Sequence, residues 1–581
     1  MKMEKFSKTK RLKVFVIGEG YIYFLIISNK IYFIHFIYKF KLLKILGRRI
    51  MKLKKLLVTT MSAILCMSVV GCGSSNKTTG AEEKDEIVYA STKDIRDINP
   101  HLYSGEMAAQ NMVFESLVKN TDDGVEPWLA ESWDISKDGK EYTFHLRKDV
   151  EFTDGEKFNA EAVKMNFDAI IENVERHNWL DLVNEIKSTE VVDEYTFKLT
   201  LSHPYYPTLE ELALTRPFRM ISPKCFVDGS TKDGVNGYAG TGPWVLSEHK
   251  EEQYAVFTAN ENYYGEKPKV NSVRWKVMTD HQTILLALEK GEIDLIYGSD
   301  GDMIDLDSFK ALEEAGKYET SMSNPIASRA ILLNSKQEIT GDQKVRLALQ
   351  YAVDKETIAE GVLNGTETMA DTLMSTSVPY CDIDLEVRKY DVDKANELLE
   401  EAGWKMGDDG YRYKDGKKCS LEIYYNSDNA QEGTISEYLQ SDFKAVGVEL
   451  NVVGEEKQSF LDRQKSGDFD LQYSLSWGTP YDPQSYVSSF RVPAHGDYQA
   501  QLGLEKKEWL DKTITNLMIE PDEDTRKEMY KEVFTYIHDQ GVYIPLTYSR
   551  TKAVHSSALR GVEFNPSQYE IPFEKMYFEA Q

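Results

Sequence analysis

The chain has 581 residues, with 69 Lys and Arg against 95 Asp and Glu and a formal net charge of −26. This acidity argues against nucleic acid or an anionic membrane surface as an electrostatically bound partner. Beyond the N-terminal region the cysteines are Cys225, Cys381 and Cys419, an odd number without a CxxC motif, which argues against a disulfide framework. The length requires at least two domains.

Residues 1–50 do not fit a membrane span. Charged residues such as Glu19 and Lys30 interrupt their apolar runs, whereas a transmembrane helix needs about 20 consecutive apolar residues. The Gly-Arg-Arg run at 47–49, just before Met51, can be encoded by a purine-rich ribosome-binding site. We therefore predict that translation starts at Met51 and that residues 1–50 are not translated; the alternative is that they form an extra N-terminal segment.

Residues 51–71 have the pattern of a secretory signal. Three lysines precede an apolar run over 56–70, which ends at Gly71 and Cys72 and is too short for a stable span. A cysteine in this position resembles the lipobox of bacterial lipoproteins. The resemblance implies a signal peptide over 51–71, lipidation of Cys72 and a flexible tether over 72–83. The alternative is an ordinary cleaved signal with an incidental cysteine.

The next part of the chain alternates between strand and helix patterns. Residues 86–90 alternate like a strand, and residues 107–119 have helical spacing of apolar side chains. Residues 142–146 and 195–201 each alternate apolar with polar side chains, which predicts half-buried strands. Asn159 stands where it can begin an amphipathic helix.

Beyond about residue 325, helices and strands follow in turn, without repeats. Residues 345–362 and 393–402 are predicted helices, the second ended by Gly403. Strands are predicted at 421–425, 448–453 and 469–474. This order is typical of α/β architecture and predicts two lobes, with the tail 547–581 returning to the first.

The sequence contains no motif that indicates catalysis. GxSxG, HExxH and GxxxxGK[ST] are absent. Gly240, Thr241 and Gly242 resemble the start of a dinucleotide-binding loop, but Pro243 disfavours a helix start and Val245 stands where the motif needs glycine. We predict a turn at a strand edge there. No carboxylate pair stands out as a general acid and base, so the chain is not predicted to be an enzyme.

Several segments carry a family resemblance. AESWDISKDGKEYTFHLRKDVEF at 130–152 resembles the signature region of the family 5 solute-binding proteins, which are the dipeptide, oligopeptide and nickel receptors of ABC importers. The resemblance extends through GTGPWVL at 240–246 and NENYYGEKP at 260–268. The segments most similar to the nickel-binding branch are NPHLY (99–103), ERHNWLDL (175–182), YYPTLEELALTRPFR (205–219), WGTPYDP (477–483) and RVPAHGDYQAQ (491–501).

This resemblance implies an α/β, two-lobed fold of the class II periplasmic-binding-protein type, with an enlarged first lobe and the ligand in the interlobe cleft. Lobe I would span 84–324 and 549–581, and lobe II would span 325–548. The implied partners are a cognate ABC permease, its ATPase and a small-molecule chelate. We expect an exported monomer without an intrinsic cofactor, lipid-anchored to the outer face of the cell membrane and touching the membrane only through that lipid.

The nickel branch also implies the binding site. Nickel(II) arrives in a small chelate, such as nickel with free histidine or an opine-like metallophore, and the protein adds one imidazole, that of His495. Arg176 and Arg216 correspond to arginines that bind the chelator's carboxylates, although Arg219 could exchange roles with Arg216. The remaining matched positions form the pocket wall: Tyr103, Met107, Trp179, Trp477 and Tyr481.

The chemistry of these residue types suits the implied roles. Neutral imidazole is a good ligand for nickel, and the planar arginine fork matches a carboxylate in two places. Two positions depart from the branch. The spacing between Tyr103 and Met107 is one residue shorter, and Tyr569 stands where relatives carry a small hydroxyl residue.

The main alternative is a dipeptide or oligopeptide receptor of the same family. Its members place an aspartate shortly after the segment's tryptophan, to pair with the peptide's ammonium group. Here Gly478 follows Trp477, and Asp482 comes later. An unpaired buried ammonium is costly, which favours nickel. An extracellular hydrolase, a lectin-like surface protein and a sensory receptor for a membrane kinase also stay open.

Overall fold

A computed structural model describes residues 84–299, 303–478 and 481–579, together with the backbone of the strands Leu12–Ile17, Gly20–Ile27 and Lys30–Phe33. The chain divides into two compact units, Met1–Glu82 and Glu83–Gln581. In the first unit the three strands pair antiparallel in chain order. The predictions for 51–71, Cys72 and 72–83 lie outside the described residues. The following description concerns the second unit.

A seven-stranded mixed sheet organises one part of this unit. Its strands, in spatial order, are Trp244–Lys250, Tyr254–Ala259, Ser272–Val277, Glu86–Ser91, Leu295–Gly298, Lys552–His555 and Glu319–Met322. Apolar side chains from its inner strands, such as Ile87, Val273 and Leu295, are fully buried in one core. The late strand Lys552–His555 therefore completes a sheet built mainly from early residues.

A six-stranded sheet organises the other part. Its strands, in spatial order, are Thr368–Met369, Tyr543–Ser549, Ala327–Leu333, Leu471–Leu475, Ser420–Asn426 and Glu449–Glu455. The chain leaves the first sheet after Met322, and it returns after Ser549. The two crossings are adjacent, because Met322 pairs with Lys552 and Ala327 pairs with Ser549. The result is the predicted two-lobed α/β fold, whereas the residue boundaries of the lobes stay a prediction.

A four-stranded antiparallel sheet carries the segment with the family signature. Its strands, in spatial order, are Ala130–Ile135, Glu141–Leu146, Thr196–Leu201 and Ile186–Asp193. The strand Glu141–Leu146 buries every second side chain, as its alternation predicts. The helix Ala160–Glu172 begins where predicted, because the side chain of Asn159 accepts a hydrogen bond of 2.9 Å from the amide of Ala162.

Smaller strand pairs and helices complete the unit. The additional strands are Val118–Thr121 with Gly124–Pro127, Phe226–Val227 with Ser230–Val235, Leu559–Arg560 with Tyr577–Phe578, and Lys405–Met406 with Arg412–Lys414 and Lys417–Lys418. The additional α-helices are Met107–Val113, Val174–His177, Asp181–Glu185, Thr208–Leu212, His281–Glu289, Leu306–Ala315, Gln343–Tyr351, Lys355–Thr357, Val392–Glu401, Ala430–Ala445, Lys457–Ser466, Gln484–Ser489, Gly496–Gln501, Lys507–Ile519 and Glu523–Gln540. Pro223–Cys225 and Phe573–Lys575 are 3-10 turns, and Ile358–Val362 is a π turn. In the part of the chain that the structure describes, no helix combines the length and apolarity needed to cross a membrane.

Two predicted helices are shorter than their sequence patterns indicate. The helix predicted over 107–119 ends at Val113, because Phe114 is extended and the Val113 carbonyl accepts a hydrogen bond from the Gly242 amide. The helix predicted over 345–362 breaks after Tyr351. There the Asp354 side chain caps a new turn by accepting from the Thr357 amide at 3.1 Å.

Candidate functional site

Eight side chains surround a cavity of about 250 Å³ that opens to solvent. They come from both parts of the unit: Tyr103, Met107, Trp179, Arg216, Trp477, Tyr481, His495 and Tyr569. Seven of the eight are residues that the sequence predicts for the site, and Tyr569 is the eighth. None of these lining residues is an aspartate or a glutamate. The cavity is therefore aromatic, with one imidazole and one guanidinium.

One wall is held by hydrogen bonds between its own side chains. The indole nitrogen of Trp179 donates to the Tyr103 hydroxyl at 2.8 Å, and that hydroxyl lies 2.8 Å from Nδ1 of His177. Burial, together with the charge of Arg176, lowers the pKa of His177 to about 4, so its ring is neutral. Burial also raises the pKa of Tyr103. This wall is thus uncharged and preorganised at neutral pH.

The two nearby arginines have different surroundings. Arg216 faces the cavity with its guanidinium 5.2 Å from the centre of the Tyr103 ring, and it donates to the Gly105 carbonyl at 3.2 Å. It forms no salt bridge with any residue that the structure describes. Arg219 is instead fully buried, stacked on Trp128 and paired with Glu570 at 3.1 Å. Arg216 therefore lines the cavity, whereas Arg219 is engaged by Glu570. Which of the two binds a chelator's carboxylate stays a prediction.

A row of aromatic rings forms the opposite side of the cavity. Trp477 lies edge-on to Trp179, Tyr481 and His495, with ring centres 5.7, 5.9 and 5.8 Å apart, respectively. Tyr481 continues the row to Tyr569, at 5.8 Å. These edge-to-face contacts fix flat apolar surfaces around the space that a ligand would occupy.

Two further contacts join this row to its surroundings. The Tyr481 hydroxyl approaches the sulfur of Met107 at 4.0 Å, so Met107 reaches the cavity despite its shorter spacing from Tyr103. The side-chain amide of Gln568 donates to the Trp477 carbonyl at 3.0 Å. Tyr569, the residue after Gln568, therefore lines the cavity beside the loop that carries Trp477.

His495 lies at the N-terminus of a short helix. It occupies the N-cap of Gly496–Gln501, and its ring makes no hydrogen bond to the described residues. Burial lowers its pKa, while the nearby carboxylate of Asp497 opposes this shift. Asp497 is fixed by the hydroxyls of Tyr543 at 2.9 Å and Tyr486 at 3.1 Å. A neutral imidazole with an unshared nitrogen is the form that binds a metal ion.

Gly496 allows the helix after His495 to pack closely. A Cβ atom at this position would lie 2.9 Å from Cγ of Gln464 and 3.0 Å from Cδ1 of Leu332. The small residue is thus needed for packing against neighbouring elements. Its contribution to the imidazole is indirect, through the position of the turn.

Arg176 does not line the cavity. It is exposed on the short helix Val174–His177, beside the buried His177. Its role in carboxylate binding stays a prediction, and Cys72 lies outside the described residues. The sequence did not single out His177 or Asp497, although both are in the segments that resemble the nickel branch. Their buried, polar neighbours in the fold, rather than any motif, distinguish them.

Asp482 is turned away from the cavity. Its carboxylate accepts hydrogen bonds of 2.5 Å from the Ser476 hydroxyl and 3.0 Å from the Gly478 amide. Burial raises its pKa to about 6. Both bonds reach Oδ2 and hold the loop that carries Trp477, whereas Oδ1 is buried without a hydrogen-bond partner among the described residues. Asp482 does not line the cavity, so it does not present its carboxylate to a ligand there.

The described residues contain no group of three or more His, Cys, Asp or Glu side chains placed to hold a metal ion. Among the residues that line the cavity, His495 is the one His, Cys, Asp or Glu side chain. Such a site cannot complete a coordination sphere alone. It can add one ligand to a metal that arrives with others already bound.

Comparisons with known proteins agree with this architecture. Residues 124–498 match the profile described as "Bacterial extracellular solute-binding proteins, family 5 Middle". The chain is 42% identical over 500 residues to the nickel-binding periplasmic protein of Escherichia coli K12, covering 85% of this chain and 95% of that protein.

Two solved structures are similar as well. NikA from Brucella suis, in complex with Fe(III)-EDTA, is 44% identical with a TM-score of 0.84 and covers 85% of this chain and 100% of its own. NikZ from Campylobacter jejuni, in complex with Ni(L-His), is 28% identical with a TM-score of 0.72, covering 85% and 99%. The matched family consists of extracellular solute-binding proteins, which are not enzymes. The chain therefore belongs to family 5 of the bacterial extracellular solute-binding proteins.

Proposed function

We propose that this chain captures nickel(II) as a small chelate, nickel–histidine or an opine-like metallophore, and delivers it to a cognate ABC permease and its ATPase. One observation carries the proposal. Among the described residues, the imidazole of His495 has no hydrogen-bond partner and the guanidinium of Arg216 has no salt bridge, and both face the cavity between aromatic walls.

The two polar groups have complementary tasks in such a complex. The neutral imidazole of His495 supplies one nitrogen to nickel, which prefers nitrogen ligands of this kind. Arg216 meets a carboxylate of the chelator through a charge-assisted hydrogen bond, which is stronger than a bond between neutral groups. A single bond between protein and metal also permits release to the permease, whereas a cage of four ligands would hold the ion too tightly.

The ligands of similar proteins agree with this chemistry. The named complexes contain a chelated metal, Fe(III)-EDTA in one case and Ni(L-His) in the other. Both chelators carry carboxylates, which is the group that Arg216 would bind. Arg176 would contribute to carboxylate binding only after a change in the conformation of its exposed side chain.

Cellular placement is part of the same proposal. We infer a signal peptide over 51–71, lipid attachment at Cys72 and a flexible tether over 72–83, with lobe I at 84–324 and 549–581 and lobe II at 325–548. The receptor would act as a monomer at the outer face of the cell membrane. Labelling with a radioactive fatty acid, lost in Cys72→Ala, tests the anchor directly.

Calorimetric titration tests the function. Nickel alone, histidine alone and their mixture are each added to the purified protein, and a dipeptide mixture is added in a fourth experiment. The proposal predicts tight binding of the nickel–histidine mixture only. Binding of dipeptides without any response to the mixture would instead identify a peptide receptor, against which the lack of an acidic side chain among the lining residues argues.

A further inference from the structure

An ion pair joins the two segments that carry opposite sides of the cavity. Asp181 lies two residues after Trp179, and Arg491 lies four residues before His495. Nη2 of Arg491 is 2.5 Å from Oδ2 of Asp181, across 310 residues of sequence. The side chain of Arg491 is 20% exposed and that of Asp181 is 32% exposed, so solvent only partly screens the pair.

Neighbouring hydroxyls fix this pair in one geometry. The Ser488 hydroxyl donates to the same oxygen of Asp181 at 3.1 Å and accepts from Nη2 of Arg491 at 3.1 Å. The other terminal nitrogen of Arg491 donates to the Thr515 hydroxyl at 3.0 Å. Both terminal nitrogens of Arg491 are therefore engaged, and a lysine could not reproduce the fork.

Short backbone turns connect the pair to the cavity. On one side the Leu180 amide bonds the His177 carbonyl at 2.9 Å, which holds Trp179 and Asp181 in one turn. On the other side the amides of Val492 and His495 bond the carbonyls of Ser489 and Val492, at 3.0 and 2.9 Å. A displacement of Arg491 is thus transmitted to the imidazole through tightly bonded backbone.

We propose that Asp181 and Arg491 form a latch across the cleft, positioning His495 against the Trp179 wall and slowing release of the metal chelate. The pair touches no ligand, so both are positioning residues. An ion pair of this exposure is weak enough to open during each transport cycle. The inference rests on the proposed function for its ligand, but the contact itself does not depend on that ligand.

The test uses charge reversal and its repair. The full chain is compared with Asp181→Arg, Arg491→Asp and the double variant that exchanges the charges, with nickel–L-histidine as the probe. Arg274→Met serves as the matched control, because Arg274 pairs with Glu86 at 3.0 Å and similar exposure within one sheet, away from the cleft. Each single charge reversal is expected to accelerate dissociation of nickel–histidine about fivefold, with little change in the association rate. The double variant is expected to dissociate at nearly the wild-type rate.

Hydrogen exchange provides a second readout that needs no ligand. Backbone amides of residues 179–183 and 488–495 are expected to exchange faster in each single variant and to recover in the double variant. Equal exchange in all four proteins, or equal dissociation of nickel–histidine, would overturn the latch. If wild-type protein fails to bind nickel–histidine, the proposed function fails, and the exchange experiment still decides on the latch.

Discussion

The two sides of the cavity use their polar atoms differently. On the side of Tyr103 and Trp179, the hydroxyl and the indole nitrogen bond to each other and to His177. On the other side, the ring of His495 has no hydrogen bond to the described residues; Arg216, although it lies beside Tyr103, likewise has no acidic partner among them. The contrast separates a wall that maintains the shape of the site from groups that remain available to a ligand.

The comparison makes an energetic distinction. Removing a group whose partners lie within the protein leaves those partners unsatisfied, which lowers stability. Removing a group that has no partner in the unliganded protein costs little stability and lowers affinity for the ligand. Substitutions on the two sides should therefore separate along two measurable axes.

The largest effect is expected at His495. His495→Ala removes the one bond from protein to metal, so affinity for nickel–histidine should fall by about 100-fold or more, with no loss of thermal stability. Calorimetric titration measures the affinity. His145→Ala, an exposed histidine of the four-stranded sheet, is the control and should bind as wild type does. Unchanged affinity in His495→Ala would contradict the role of the imidazole.

The next effect is expected at the arginine that faces the cavity. Arg216→Met removes the partner of the chelator's carboxylate, and affinity should fall by about 30-fold, as for the loss of a hydrogen bond to a charged group. Arg176→Met changes an exposed side chain outside the cavity, and affinity should change by less than about twofold. The same titration compares them. A larger loss in Arg176→Met than in Arg216→Met would reverse the assignment.

Lowering the pH should weaken the binding of nickel–histidine through His495. Burial holds the pKa of His495 below its usual value of about 6.5 in the free protein. The neutral form, which binds metal, therefore persists from pH 7.5 to 6.5. Once the pH falls below this lowered pKa, affinity should decrease by up to about tenfold per pH unit.

The measurement compares wild type with His495→Ala at each pH, because the chelator itself also titrates. The decrease in affinity that comes from protonation of His495 should be present in wild type and missing in His495→Ala. Identical pH profiles for the two proteins would show that another group controls binding in acid.

The smallest effect on binding is expected from the hydrogen-bonded wall. His177→Leu removes one of the two hydrogen-bond partners of the Tyr103 hydroxyl, the ring nitrogen at 2.8 Å, and leaves the bond from Trp179. The free energy of unfolding should decrease by about 1–2 kcal/mol, while affinity for nickel–histidine should change by only a few-fold. Urea unfolding and titration give the two values. A loss of affinity as large as that of His495→Ala, without loss of stability, would remove the distinction between the two sides.

Local patterns predicted the strands because burial alternates within a few residues. In Glu141–Leu146 every second side chain enters the core, and this period is visible without knowledge of any partner. The break in the helix predicted over 345–362 could not be predicted from the local sequence pattern. It involves the amide of Asp354, which donates to the carboxylate of Asp442 on a distant helix.

The resemblance predicted most of the cavity, but it could not choose between neighbours. Arg216 and Arg219 are three residues apart, and only the fold assigns Glu570 to the second of them. The partners of the site residues were also hidden. Asp181 and Arg491 meet across 310 residues, a separation for which no spacing rule exists. Sequence thus identifies the chemical groups, and tertiary contacts decide which remain free.

Nickel-edge X-ray absorption of the protein loaded with nickel–iminodiacetate tests the central claim most directly. This chelator carries carboxylates but no imidazole, so any imidazole bound to nickel belongs to the protein. The account predicts one imidazole per nickel, absent in His495→Ala. A spectrum of the wild-type complex without an imidazole, or with two or more, would contradict a receptor that adds a single histidine to a chelated metal.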